Sequence, residues 1–150
     1  MKKNNSNTEH KTFKTRIPRN IRSFAINNFG VEFRVAETLE KANIIGLPEE
    51  ANKHDALYIE KSAVVFVKKF TEFDPTDLNF ILLHELGHAI LDFYKNEAGL
   101  KIEERDEEIK ANGIAFAIAA LLKIPVSETM IKNLNRFLCL SEGEQIQWEF

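Results

Sequence analysis

From Asp74 to Tyr94 the chain is apolar nearly all the way round a helical wheel, and two histidines and a glutamate sit in the middle of that stretch. Leu78, Ile81, Leu82, Leu83, Leu86, Ala89, Ile90 and Phe93 recur at helical spacing but spread over most of the circumference, so the helix they form must be covered on several sides. Its start is well specified, with Asp74 as N-cap, Pro75 at the first helical position and Asp77 at the positive end of the dipole. The spacing predicts a helix over 75–94. The rest of the chain has to supply its cover.

His84-Glu85-Leu86-Gly87-His88 at the centre of this helix is an HExxH pattern. Residues four apart on a helix share a face, about one turn apart, so both imidazoles can reach one ion. Glu85 is then beside that ion, close enough to take a proton from water. A single buried helical histidine is ordinarily a hydrogen-bonded core residue. Two of them with a carboxylate between would cost several kcal/mol to bury together without a compensating cation. Gly87 costs the helix about 1 kcal/mol relative to Ala and leaves room for a strand or a substrate backbone to come close. The pattern points to a zinc hydrolase.

At 150 residues the chain is long enough to bury a core without a disulfide or a metal to hold it together. Its single cysteine, Cys139, has no internal partner, and the first residues lack the apolar run of a signal peptide, so a reducing, cytoplasmic setting is expected. The apolar run Ile114–Leu122 is about half of the ~20 residues that a bilayer requires, so no membrane association is expected. Residues 1–16 hold Lys, Asn, Ser and Thr with one Phe and no periodicity, and read as a disordered basic tail ahead of a single domain over 17–150. Phosphate binding takes a larger basic footprint than this, so no direct contact with nucleic acid is expected. Nothing in the sequence specifies an oligomeric state.

Ile17, Ile21, Phe24, Ala25 and Phe29 fall near helical spacing, with Pro18 suited to a first turn and Gly30 to a stop. Val31–Val35 alternates as a half-buried strand does, and Leu57–Ile59 and Ala63–Val67 flank Glu60–Ser62 as a β-hairpin. The strand over 63–67 is an ordinary core strand on this reading, or else an edge offered to an extended peptide. A loop is expected over 96–101 and a second long helix over 102–123. A last helix over 127–140, capped by Ser127, completes an α+β chain.

The second helix begins with Glu103, Glu104, Asp106, Glu107 and Glu108, a run that usually forms a solvated face at the positive end of a helix. Ala111, Ala115, Ile118, Ala119 and Leu122 mark a small-residue stripe by which it can approach the first helix. Glu104, Glu107 and Glu108 all lie within one helical step of that stripe. Glu108 leads into Ala111 and Asn112 on the same face and is the leading third ligand, with Glu104 and Glu107 as alternatives. Asn112, and Asp92 one turn beyond His88, can each hydrogen-bond a ligand imidazole and fix its tautomer. His54, Tyr58 and Tyr94 are available to steady an oxyanion, and spacing selects none of them.

HELGHAIL followed by Glu108-x-x-Ala111-Asn112, then Ala115-Phe116-Ala117, Leu121-Leu122 and Pro125, resembles the ImmA/IrrE family of gluzincin-like zinc metallo-endopeptidases. The resemblance covers roughly 56–125. Phe116 falls later after Asn112 than the family pattern has it, and Ile124 adds a residue before Pro125. The resemblance implies a small zincin-like α+β domain, with a short sheet or hairpin packed on the HExxH helix and a ligand-bearing helix after it. It implies His84, His88 and Glu108 as ligands of Zn2+ and Glu85 as catalytic base. It also implies a protein substrate, a helix-turn-helix transcriptional repressor of a mobile element or stress regulon. Two rival expectations are a metal- or repressor-binding module of the same fold that does not cut, and a plain α+β interaction protein with a chance HExxH.

Overall fold

The computed structural model describes residues 12–125. In chain order the elements are β1 (Phe13–Lys14), α1 (Arg19–Phe29), β2 (Glu32–Ala36), β3 (Ala56–Ile59), β4 (Val64–Lys68), β5 (Phe70–Thr71), α2 (Pro75–Ala98) and α3 (Glu104–Leu121). The mixture is α+β, as expected.

Strand β4 is the middle of a three-stranded sheet, ordered β2-β4-β3. It pairs in parallel with β2, Glu32 opposite Val64 through Ala36 opposite Lys68, and antiparallel with β3, Ala56 opposite Val67 through Ile59 opposite Val64. The β3–β4 hairpin closes through a 3-10 turn at Glu60–Ser62, with Ala63 in the left-handed region at φ 54°. Because β4 has a neighbour on each side, 63–67 is the core strand expected and offers no edge for docking. The edge strands of this sheet are β2 and β3, and β3 is the one that borders the cleft beside the candidate centre.

Both faces of the sheet are covered, which is why β4 reads as an unbroken apolar run rather than an alternation. Phe33, Ala56, Val65 and Val67 face Ile21 and Ala25 of α1 and Leu82, Leu83, Leu86 and Ile90 of α2, with Ala115, Ile118 and Ala119 of α3 completing that core. Ile59, Val64 and Phe66 point the other way, onto Leu39, Ala42 and Ile44 of the long connection after β2. A fully buried side chain such as Phe66 contributes about 1.5–3 kcal/mol relative to exposure.

Helix α2 starts as the sequence predicts: the Asp74 side chain accepts the Asp77 N–H at 2.9 Å and Pro75 is the first helical residue. It ends later than predicted. Gly99, at φ 66°, donates its N–H to the Lys95 carbonyl and closes the helix at Ala98, so the first residues of the expected loop form an additional turn. Leu78 through Leu91 is buried at nearly every position, whereas Phe93 and Tyr94 are about half exposed, so cover extends over the HExxH turns and stops beyond them.

Gly87 marks a close approach of α2 and α3. A Cβ built there would stand 2.6 Å from the Ala111 carbonyl oxygen. The neighbour that requires glycine is thus the α3 backbone, not a strand or a substrate.

Residues 13–15, within the expected tail, are paired to the rest of the described fold. Phe13 and Lys14 pair antiparallel with Thr71 and Phe70, Thr15 is buried, and its N–H donates to the Lys69 carbonyl at 2.8 Å. Backbone pairing of this kind leaves no hydrophobic period to read. The helix expected over 127–140 lies outside the described residues. Among the described residues no helix is long and apolar enough to cross a membrane.

Candidate metal centre

The two imidazoles of α2 converge, with Nε2 of His84 and Nε2 of His88 3.2 Å apart. The Glu108 carboxylate reaches across from α3, 3.0 Å from His84 Nε2 and 3.2 Å from His88 Nε2. Donors held ~2.0–2.1 Å from one ion at tetrahedral angles stand about 3.3 Å from each other. The three separations are therefore close to the edges of a coordination tetrahedron. Glu85 completes the group: its metal-capable oxygen and the ring nitrogens of the histidines lie within 4.8 Å of one another, and its Oε2 is 3.8 Å from His84 Nε2.

Each ring is oriented from behind. His84 Nδ1 meets the Asn112 side-chain oxygen at 2.7 Å, and His88 Nδ1 meets a Glu107 carboxylate oxygen at 2.8 Å. Those oxygens only accept, so each Nδ1 carries a hydrogen and each ring presents Nε2 forward. The two Nε2 atoms and the carboxylate, about 3 Å apart, need a positive charge among them, supplied either by a proton or by a metal ion. This donor set fits zinc: two neutral nitrogens and one oxygen, with room left for a further ligand.

The electrostatics follow from burial and from this crowding. Burial disfavours the charged form of His88, but Glu108, Glu85 and Glu107 outweigh it and raise its pKa from 6.5 to about 9. Burial would likewise raise Glu108, and contact with His84 and His88 overrides it and holds the carboxyl down to about 2. Glu85 goes the other way. Its burial pushes its pKa up, opposed by the charge of His84 and His88 and by the Tyr58 N–H, which donates to Glu85 Oε1 at 2.8 Å.

A metal bound through His88 would compete with the proton there, so the pKa of about 9 predicts the pH window for zinc binding. Zinc affinity should climb by about tenfold per pH unit up to about pH 9 and then level off, since one bound proton must leave. Zinc titrations across that range measure it directly. An affinity that levels off near the ordinary histidine pKa of about 6.5 would mean that the carboxylates do not hold a proton on His88.

A cleft of ≈ 300 Å³ opens beside the centre, lined by His54, Tyr58, Glu60, Glu85, His88, Asp92, Lys95, Glu107 and Glu108 among others. Of the three residues available to steady an oxyanion, His54 and Tyr58 line it and Tyr94 does not. Of the three candidate third ligands, Glu108 reaches both histidines, Glu107 serves the back of His88, and Glu104 is exposed. Asn112 takes the role expected of it. Asp92 does not orient an imidazole, because it accepts the Tyr58 hydroxyl at 2.8 Å and Glu107 has taken its place behind His88. Helical spacing could show that Glu107 and Asp92 were both within reach; only the crossing of α2 and α3 decides between them.

Comparison of the chain with family models, with curated proteins and with solved structures returns no match.

Proposed function

We propose that this chain is a zinc-dependent endopeptidase of zincin-like fold, acting in the cytoplasm on a protein substrate. The observation that carries the reading is the meeting of His84 Nε2, His88 Nε2 and the Glu108 carboxylate at mutual distances of 3.0–3.2 Å, with the buried Glu85 carboxylate alongside. The substrate class, a helix-turn-helix repressor of a mobile element or stress regulon, rests on the motif resemblance alone.

Zinc held by His84, His88 and Glu108 would supply a Lewis acid for the scissile carbonyl and acidify the attacking water. Glu85 would take the proton of that water and pass it to the leaving nitrogen, a transfer helped by burial, which raises its carboxyl pKa above the ordinary value. The Tyr58 N–H fixes one Glu85 oxygen and leaves the other on the side of the histidines. Asn112 and Glu107 hold the rings in the ligating tautomer. Edge strand β3 borders the cleft through Ala56, Leu57 and Tyr58, where an extended peptide can add as a further strand. His54 and Tyr58 are the cleft residues available to the developing oxyanion.

The test is co-expression with candidate repressors, comparing the native chain with Glu85→Gln, together with metal analysis of the purified protein. About one zinc per chain, with a repressor lost only in the presence of the native chain, is the expected result. A repressor that is bound by both chains and cut by neither would make the protein a binding module. Only a small fraction of a zinc per chain, with no stabilisation on adding zinc, would remove the site altogether.

A further inference from the structure

We propose that Lys95 is a positioning residue of the metal centre, acting on His88 through Glu107; the inference rests on the zinc reading above. Lys95 lies seven positions, or two helical turns, after His88 and so on the same face of α2. It occupies the last turn of the helix, where unpaired carbonyls favour a cation. Its Nζ donates to Glu107 Oε1 at 2.7 Å, while Glu107 Oε2 meets His88 Nδ1 at 2.8 Å. One carboxylate from α3 is thereby pinned at both oxygens between two residues of α2.

Without Lys95, Glu107 keeps a single contact, on a helix turn whose neighbours Glu104 and Asp106 already point into water. Its side chain, 23% exposed, can then swing outward and free His88 to rotate or change tautomer. Asp92 accepts the Tyr58 hydroxyl, and Glu107 is the carboxylate at hydrogen-bond distance from Lys95 Nζ on this wall of the cleft.

The sign of the effect separates this role from a bystander's. A lysine that merely sits near a divalent cation repels it, so removing the charge would tighten zinc binding. A lysine that positions Glu107 predicts the opposite. The experiment is zinc titration of the full chain against a competing chelator, with the visible spectrum of the cobalt-loaded protein as a second readout of ligand geometry. Lys95→Met should weaken zinc by about 10-fold and alter the cobalt spectrum, as loss of a residue orienting a metal ligand does. Lys95→Arg should stay within about threefold of the native chain. Glu107→Ala should weaken zinc by about 10–100-fold, and adding Lys95→Met to it should change nothing further, because the lysine works through that carboxylate.

Native or tighter zinc binding by Lys95→Met with an unchanged cobalt spectrum would overturn the inference and leave the metal centre standing. So would losses that add in the double variant. A native chain that takes up no zinc would overturn both.

Discussion

With Gln in place of Glu85, peptide hydrolysis should fall by about 10²–10⁴-fold, the usual contribution of a general base, while zinc content stays at the native level. The carboxamide has nearly the shape of the carboxylate, and its oxygen still accepts the Tyr58 N–H that Glu85 Oε1 accepts at 2.8 Å. It cannot take a proton from water. Kinetics and metal analysis on the same preparation separate the two functions of the site, and turnover at the native rate would sink the assignment of Glu85 as base.

The same variant carries a stability signature with a definite sign. Burial raises the Glu85 pKa in the folded chain above that of the unfolded chain, so the folded state binds this proton more readily. The stability this provides is fully present below the ordinary carboxylate pKa of about 4.3 and is lost as pH rises through the folded value. Metal-free Glu85→Gln should therefore melt above the native protein at about pH 8, with the gap closing toward about pH 4. Thermal melts in chelator at the two pH values measure it. A gap that widens toward acid would mean that the ionised carboxylate is stabilised in the fold.

The second large effect belongs to Gly87. An added Cβ would meet the Ala111 carbonyl oxygen at 2.6 Å and the Ala111 Cα at 3.0 Å, both backbone atoms that no rotamer change can move aside. The helices have to separate at their crossing. His84 and His88 are within one turn of Gly87 on α2, and Glu108 is one turn before Ala111 on α3, so the separation acts directly on ligand distances of 3.0–3.2 Å. Gly87→Ala gains about 1 kcal/mol in helix propensity and loses about 1–3 kcal/mol or more to overpacking. The metal centre should suffer more than the fold, with zinc affinity falling on the order of 10²-fold, as a displaced ligand set implies.

Gly113 supplies the contrast, because a Cβ there meets nothing within 4 Å. Gly113→Ala, in the middle of α3, should stabilise the chain by about 0.5–1 kcal/mol and leave zinc binding alone. Melting temperatures and zinc titrations of the pair check both expectations. Equal behaviour of the two alanine variants would contradict the close approach of α2 and α3.

Local signals made several of these features readable in the residues themselves. Asp74 and Pro75 specify the start of α2 through one hydrogen bond and one fixed φ, and both depend only on near neighbours. Asn112 could be placed behind a ligand histidine because helical spacing from Glu108 fixes its face; that it is His84 is a matter of how the helices cross. Features that depend on how elements cross were not readable in this way. Gly87 announces a close approach without saying to what, and the parallel pairing of β2 with β4 bridges residues far apart in the chain. Asp92 and Glu107 are chemically equivalent candidates for His88 Nδ1, separated only by the angle between two helices. Gly99 looked like part of a loop, but its left-handed φ ends α2 and places Lys95 on a helical turn.

The hydrogen bond from the Tyr58 amide to Glu85 has a consequence for timing. Amides that point outward from an edge strand ordinarily trade their hydrogens quickly with water, yet this one ends on a carboxylate that is almost wholly buried. Its hydrogen exchange should be slow while Glu85 is in place and fast once the base turns away. On the proposed reading, a peptide laid against β3 would compete for the same N–H, so arrival of that strand and release of the carboxylate would become a single event.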